Sequence, residues 1–80
     1  MGFIMTSQKD QDLEMFAENL TRLRKAKKLT QEKLAEMANL SAIYIAHLEQ
    51  GRKNPTLHTL SALTKALGVS IKDLFKGISK

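Results

Sequence analysis

The side chains best suited to contacting another molecule lie in one short stretch near the middle of the chain. At about 100° per residue, a helix there turns Ile43, His47 and Gln50 to one side, flanked by Tyr44 and Ala46. An ordinary surface helix would show charge on this side, whereas these side chains are small to medium and almost uncharged. Such a face can approach base edges closely, and its apolar groups can contact thymine methyl groups. The pattern therefore predicts contact with bases in the major groove of DNA.

Residues that can contact phosphate flank this helix on both sides. Gln31 begins the preceding helix, where a side-chain amide and the helix N-terminus can both face a phosphate oxygen. Arg52, Lys53 and Asn54 follow the helix and are placed to hold the other side of the groove. Phosphate contacts position a protein on DNA and base contacts specify the sequence. The arrangement predicts both kinds of contact.

The other polar residues do not indicate an enzyme, a cofactor or a metal site. His47 is interpreted as a base or phosphate contact, the alternative being an ordinary polar residue on an exposed face, and His58 is expected to be exposed to solvent. Two histidines in a chain without cysteine do not make a zinc site. The sequence contains no Ser–His–Asp set and no glycine-rich phosphate loop, so we expect no catalysis and no small-molecule ligand.

Size and composition favour one folded domain of 80 residues, with 42% hydrophobic residues and no room for a second effector domain. The absence of cysteine fits a reducing cytoplasm. No apolar run approaches the roughly 18 residues of a membrane span, and no signal peptide opens the chain, so a cytoplasmic protein without membrane contact is expected. The net charge of +5 suggests a polyanionic partner.

The charges of the first helix are separated by sign. Acidic residues come first and an unbroken basic run follows, comprising Arg22, Arg24, Lys25, Lys27 and Lys28. This order suits the helix dipole, so the basic run either stabilises the helix or forms part of a DNA-facing patch.

The spacing of apolar residues predicts an all-α, compact five-helix domain. We expect an N-terminal tail at 1–11, the domain at 12–77, a C-terminal tail at 78–80, and helices at about 12–27, 31–38, 41–50, 56–67 and 71–75. Thr30 and Ser41 are expected to cap helices, and Asn39 to adopt a left-handed turn conformation. Met37 and Leu57 are assigned to the buried sides of their helices.

The chain resembles the Cro and lambda-repressor-like helix-turn-helix proteins, also called the xenobiotic-response-element family, from about Phe16 to Gly77. The resemblance rests on Leu29-Thr30-Gln31-Glu32, Leu34-Ala35, Ile45, Leu48-Glu49-Gln50-Gly51 and Ala66-Leu67-Gly68-Val69. It implies a five-helix domain, with the helix-turn-helix at the second and third helices, that binds operator DNA as a symmetric dimer.

The resemblance also implies a set of DNA-binding positions and a structural ion pair. Together with the flanking residues above, the DNA-binding set is Thr30, Gln31, Ala42, Ile43, Tyr44, Ala46, His47, Gln50, Arg52, Lys53 and Asn54. Arg24 and Glu49 match a pair that joins the first and third helices. Tyr44 is expected to pack its ring against the first helix while its hydroxyl reaches a phosphate.

The sequence departs from the family at the reading positions. Many relatives carry glutamine, arginine or asparagine where this chain has Ala42, Ile43 and Ala46. Hydrogen-bond readout must then rely on Tyr44, His47 and the loop residues, and the reading positions do not predict an operator sequence.

A surplus of apolar residues near the C-terminus is open to two interpretations. Ile71, Leu74, Phe75 and Ile78 are too many for one short helix to bury alone. They either complete the core or form a two-fold dimer interface, and we favour the interface because paired half-sites raise specific affinity.

The leading hypothesis is a sequence-specific transcriptional regulator that binds a palindromic operator in double-stranded DNA as a homodimer, with residues 42–50 as recognition helix. Among members of the family, the chain looks like the small stand-alone regulators, such as controller proteins of restriction–modification systems and phage Cro-type repressors. The main alternative is an antitoxin-like protein-interaction module with the same fold. A third is non-specific binding of nucleic acid, which the uncharged face of the third helix disfavours.

Overall fold

A computed structural model describes residues 8–78, with side chains from residue 11 onward. Its helices are α1 (Gln8–Ala26), α2 (Gln31–Ala38), α3 (Ala42–Glu49), α4 (Leu57–Leu67) and α5 (Ile71–Leu74). Over residues 8–78 the chain forms helices and turns without a strand. The predicted all-α, five-helix fold is therefore confirmed.

Local hydrogen bonds explain where the helices begin. A threonine or serine precedes α2, α3 and α4, and its hydroxyl accepts the backbone N–H three residues later, at Thr30, Ser41 and Thr56. Ser70 and Asp73 form a reciprocal capping box at the start of α5. Such caps satisfy N–H groups that have no acceptor within the helix.

Left-handed residues end α2 and α4 and allow the tight connections between helices. Asn39 has φ 59° at the end of α2, and its backbone N–H donates to carbonyl groups of the last turn. Gly68 occupies the same conformation after α4, with φ 68°. The turn between α2 and α3 thus has the conformation predicted for Asn39, which asparagine tolerates better than most residues.

One hydrophobic core joins all five helices. α1 packs against α3 and α5, α2 against α3 and α4, and α4 against α5. The fully buried members, each less than 2% exposed, are Leu20, Leu34, Ile45, Leu48, Leu63, Leu67 and Leu74. Burial of a leucine or isoleucine side chain contributes about 1.5–3 kcal/mol, so this set fixes the position of α3 against its neighbours.

Several boundaries and buried faces differ from the sequence predictions. α1 begins at Gln8 rather than Asp12, because its first turn is polar and gives no apolar period to detect. Ile78 packs against the core, although it was expected in the C-terminal tail. Met37 and Leu57 are 47% and 82% exposed. Leu57 is the first residue of α4 and extends beyond the core. The rest of the predicted tails, residues 1–7 and 79–80, lies outside the described residues.

None of the helices within residues 8–78 combines the length and the apolar composition needed to cross a bilayer.

Candidate nucleic-acid interface

The outer side of α3 is exposed and nearly uncharged, as the sequence indicates. Ile45 and Leu48 are fully buried on the inner side, whereas Ile43 is 70% exposed on the outer side. Ala46 and His47 are half-buried and Gln50 is exposed. Because the helix is held by its inner side, the outer side is free to enter a groove without repacking.

Tyr44 is oriented differently from the prediction. Its ring is half-buried against the core, and its hydroxyl lies 3.0 Å from Thr59 Oγ1 in α4. Thr59 Oγ1 also accepts a hydrogen bond from the hydroxyl of Thr56, at 3.0 Å. The hydroxyl therefore has its partner on α4, contrary to the prediction that it reaches a phosphate, whereas packing of the ring on the first helix stays a prediction. Tyr44 ties α3 to α4.

Ala42, another predicted reading position, is only partly available. It is half-buried and packs against the core at the start of α3. The exposed part of the predicted reading face is therefore centred on Ile43, with Ala46 and His47 one turn further along the helix.

The ion pair implied by the family resemblance is present between α1 and α3. Arg24 Nε lies 2.7 Å from Glu49 Oε2, and Arg24 Nη2 lies 3.0 Å from Glu49 Oε1. The two side chains are only 11% and 5% exposed. Arg24 Nη1 also donates to the carbonyl of Leu29, at 2.7 Å. The pair therefore fixes α1, the α1–α2 connection and the end of α3 together.

The charge state of this pair is stabilised by its neighbours. Burial disfavours the charged form of Glu49, but hydrogen bonds from Arg24, Gln31 and Thr21, together with the charge of Arg24, outweigh burial and lower the pKa of Glu49. The hydrogen bond to Glu49 correspondingly raises the pKa of Arg24. Both groups are charged at neutral pH, and the pair adds no net charge to the surface.

Gln31 lies at the start of α2 but is already bonded within the protein. Its Nε2 donates to Glu49 Oε1 at 2.9 Å, and the residue is half-buried. The amide nitrogen carries a second hydrogen that this bond does not use. The neighbouring Thr30 is exposed and accepts the Lys33 N–H at 2.9 Å, which leaves its own O–H as a donor.

The loop after α3 carries exposed polar and basic side chains. Arg52, Lys53 and Asn54 are all exposed. Arg52 Nη1 lies 3.4 Å from Gln50 Oε1, so the end of α3 and the start of the loop are joined. Asn54 also lines an apolar groove on the side of α1 and α5. Asn54 therefore lies where this loop meets the groove beside the C-terminal residues.

The predicted dimer-interface residues separate into core and surface. Leu74 is fully buried, so its assignment to an interface is wrong: it faces inward from α5 and completes the core. Ile71 and Phe75 are 44% and 38% exposed. Phe75 packs against Phe16, with ring centroids 6.0 Å apart. Ile78 is half-buried.

An open apolar groove of about 440 Å³ lies beside these residues. Its lining comes from α1, the loop after α3, α4 and the C-terminal residues, and comprises Asp12, Leu13, Phe16, Asn54, Pro55, Leu60, Phe75 and Ile78. It was not predicted, because a groove between four segments leaves no periodic signal in any one of them.

Asn19 is a structural residue that the sequence analysis missed. Its Nδ2 donates to the carbonyls of Leu74 and Lys76, at 2.8 and 2.9 Å, and its Oδ1 accepts from Arg22. Thr21, which bonds Glu49, was also missed. Thr21 precedes Arg24 by three residues, and that spacing on one helix face was the available signal.

Among the residues from 11 to 78, no group of three or more histidines, cysteines or carboxylates is placed to hold a metal ion.

A short exposed helix, held against a preceding helix by a tight turn and locked to the core behind it, defines a DNA-binding helix-turn-helix protein. The helix-turn-helix family model HTH_3 matches residues 20–74 of this chain. The chain belongs to that family.

Individual relatives are regulators of transcription. The immunity repressor protein of Bacillus phage phi105 is 53% identical over 49 residues, which cover 61% of this chain but only 34% of the repressor. Control protein C.SmaI of Serratia marcescens is 43% identical over 61 residues, covering 76% of this chain and 73% of C.SmaI. The crystal structure of the restriction-modification controller protein C.AhdI from Aeromonas hydrophila has a TM-score of 0.79 and 37% identity, covering 81% of this chain and 98% of C.AhdI.

Proposed function

We propose that this DNA-binding transcriptional regulator recognises a palindromic operator as a homodimer, with α3 of each protomer in the major groove. The proposal rests above all on the outer side of α3, where the 70% exposed Ile43 lies on a nearly uncharged face. An exposed isoleucine on this face is well suited to contact with thymine methyl groups. Such a regulator would work in the cytoplasm of a bacterial cell.

Base contacts come from the outer side of α3. Ile43 and Ala46 supply apolar contact, His47 and Gln50 supply hydrogen bonds, and Tyr44 contributes what remains exposed of its ring. Ala42 permits close approach at the start of the helix. This division suits an operator rich in thymine at the positions beneath Ile43.

Phosphate contacts come from the two flanks. Thr30 and Gln31 face one strand at the N-terminus of α2, and Arg52, Lys53 and Asn54 face the other side of the groove. The net charge of +5 supports attraction to the backbone.

Two copies are needed because one small module seldom reaches specific affinity. Ile71, Phe75 and Ile78 beside the apolar groove are the proposed contact between protomers. A two-fold arrangement would place the two copies of α3 about 34 Å apart, one helical turn of DNA.

Selection from a randomised duplex library tests this proposal. Enrichment of a two-fold symmetric motif is the expected result. Uniform retention would instead indicate non-specific binding, and no retention even at low salt would exclude DNA as the partner and favour a protein-interaction module.

Ile43→Ser tests the orientation of α3. We expect it to weaken binding to the selected operator about tenfold, because a thymine methyl contact is lost, and to leave binding to random duplex unchanged. Met37→Ser, at an exposed apolar residue of α2, is the matched control. If both variants bind the operator like the wild type, α3 does not read it through this face.

A further inference from the structure

The carboxylate of Glu49 binds more than its ionic partner. It accepts two hydrogen bonds from Arg24, at 2.7 and 3.0 Å, and a third from Gln31 Nε2, at 2.9 Å. Its side chain is 5% exposed. Arg24 gives each carboxylate oxygen one hydrogen bond, and Gln31 adds a second bond on Oε1. The same bond fixes the position of the Gln31 side chain.

The chemistry of the two groups fixes the orientation of the Gln31 amide. A glutamine side chain has an NH₂ group at one end and a carbonyl oxygen at the other, whereas a carboxylate can only accept. A reversed amide would place its oxygen against Glu49. The NH₂ end must therefore face Glu49, and one N–H of that group remains available for another acceptor.

The position of Gln31 determines which acceptor that N–H can meet. Gln31 is the first residue of α2, where the backbone N–H groups of Gln31 and Glu32 have no acceptor within the helix. Thr30 already satisfies the N–H of Lys33, at 2.9 Å. The remaining donors at this end are directed outward, where an anion is favoured by the helix dipole.

We propose that Glu49 is a positioning residue for DNA binding: it holds the Gln31 amide with its free N–H toward a phosphate at the N-terminus of α2. This inference rests on the proposed function. Glu49 itself touches no DNA. It is the last residue of the recognition helix, so the same carboxylate makes the phosphate contact of α2 and the base-reading face of α3 one rigid unit.

Ala42 leaves this role to Glu49. The first two residues of α3, Ala42 and Ile43, carry no side-chain group that could hydrogen-bond Gln31. The link from α3 to the phosphate-contacting end of α2 therefore runs through the opposite end of the recognition helix.

A mutant cycle on the selected operator tests the inference. The four proteins are the wild type, Gln31→Ala, the double variant Arg24→Leu/Glu49→Leu, and the triple variant. The double variant removes both charges together, an exchange that folded proteins often tolerate. Circular dichroism checks that each variant is folded.

We expect Gln31→Ala to weaken operator binding about fivefold, the size of one hydrogen bond. The double variant should weaken it at least as much, and the triple variant no further than the double, because the double variant already releases the Gln31 amide. The salt dependence of binding should stay the same in all four, since no charge that neutralises a phosphate is lost. Gln11→Ala, which removes an exposed glutamine from α1, is the matched control and should bind like the wild type.

Losses that multiply in the triple variant, or a double variant that binds normally, would overturn the inference. If the double variant does not fold, the NMR signals of the Gln31 side-chain amide in the wild type test the inference instead. Addition of operator should shift one of its two amide protons. An unmoved Gln31 amide, while backbone signals of α3 shift, would reject the positioning role and leave the proposed function standing. Wild-type protein that selects no DNA motif would instead reject the proposed function.

Discussion

The two surfaces that the proposed function uses are attached to the core by different kinds of force. The recognition helix is tied by directional polar bonds, from Arg24 and Gln31 to Glu49 and from Tyr44 to Thr59. The surface around α5 is held mainly by apolar burial of Leu74. The Asn19 side chain in α1 adds two hydrogen bonds to this surface, one to the carbonyl of Leu74 and one to that of Lys76.

The difference matches what each surface must do. Base readout depends on the position of a helix relative to hydrogen-bonding groups, and hydrogen bonds lose strength quickly when distance or angle changes. Self-association through an apolar surface depends chiefly on area and tolerates small shifts. The chain therefore uses buried charges to fix the recognition helix, whereas the surface around α5 relies mainly on apolar packing.

The largest effect is expected from breaking the polar attachment of α3. Glu49→Ala leaves the Arg24 guanidinium nearly buried without its partner, and we expect the free energy of unfolding to fall by about 3 kcal/mol. Urea denaturation measures this loss. Glu36→Ala, which removes an exposed ion pair with Lys33, should cost less than about 1 kcal/mol. Equal stability of the two variants would contradict the comparison.

Acid should weaken the same attachment without any mutation. The pKa of Glu49 is lowered in the folded protein, so its contribution to stability is complete above the ordinary carboxyl range, at about pH 5 and higher, and is lost as pH falls through the lower, folded pKa. The loss should remain within the roughly 3 kcal/mol expected for Glu49→Ala. Thermal unfolding from pH 6 to pH 2 measures it. Arg24→Leu/Glu49→Leu should show a shallower decline, and an equally steep one would assign acid sensitivity to other carboxylates.

A smaller effect, on assembly rather than folding, is expected from the apolar surface. Ile71→Ser should weaken self-association about tenfold, or about 1.4 kcal/mol, while the monomer stays folded. Ile71 is chosen because Phe75 also packs against Phe16. Sedimentation over a range of concentrations gives the dissociation constant, with Leu57→Ser as control at an equally apolar, 82% exposed position outside the proposed contact between protomers. Equal weakening by Ile71→Ser and Leu57→Ser would show that the contact between protomers lies elsewhere.

The smallest effect should come from the hydroxyl of Tyr44. Tyr44→Phe removes the bond to Thr59, and we expect a loss of about 1 kcal/mol in the free energy of unfolding with no loss of operator affinity. Thermal denaturation and DNA titration measure the two quantities. If operator binding weakens while stability is unchanged, the Tyr44 hydroxyl contacts DNA, and its bond to Thr59 in α4 is not kept in the complex.

The features that could be predicted from the sequence depend on neighbouring residues. Thr30, Ser41 and Thr56 cap helices through bonds to residues only three positions away, and Asn39 turns the chain by its own backbone conformation. The family resemblance added the pairing of Arg24 with Glu49.

The features that could not be predicted depend on how helices pack. The sequence predicts Tyr44 beside the reading face and Leu57 on a buried stripe, yet the hydroxyl of Tyr44 bonds Thr59 in α4 and Leu57 is 82% exposed. The bond from Gln31 to Glu49 joins two helices at a distance that no local pattern records. Leu74 shows the same limit, since its spacing fits a surface stripe equally well.

The two hydrogen bonds of the Asn19 side chain indicate the order in which the helices can pack during folding. They join residues 55 and 57 positions apart along the chain, and α5 has only four residues, too few to persist alone in water. α5 can therefore settle only after α1 has formed and the later residues have been synthesised. Because α5 is also the last helix along the chain, the proposed pairing surface is the last part of the described fold that can form.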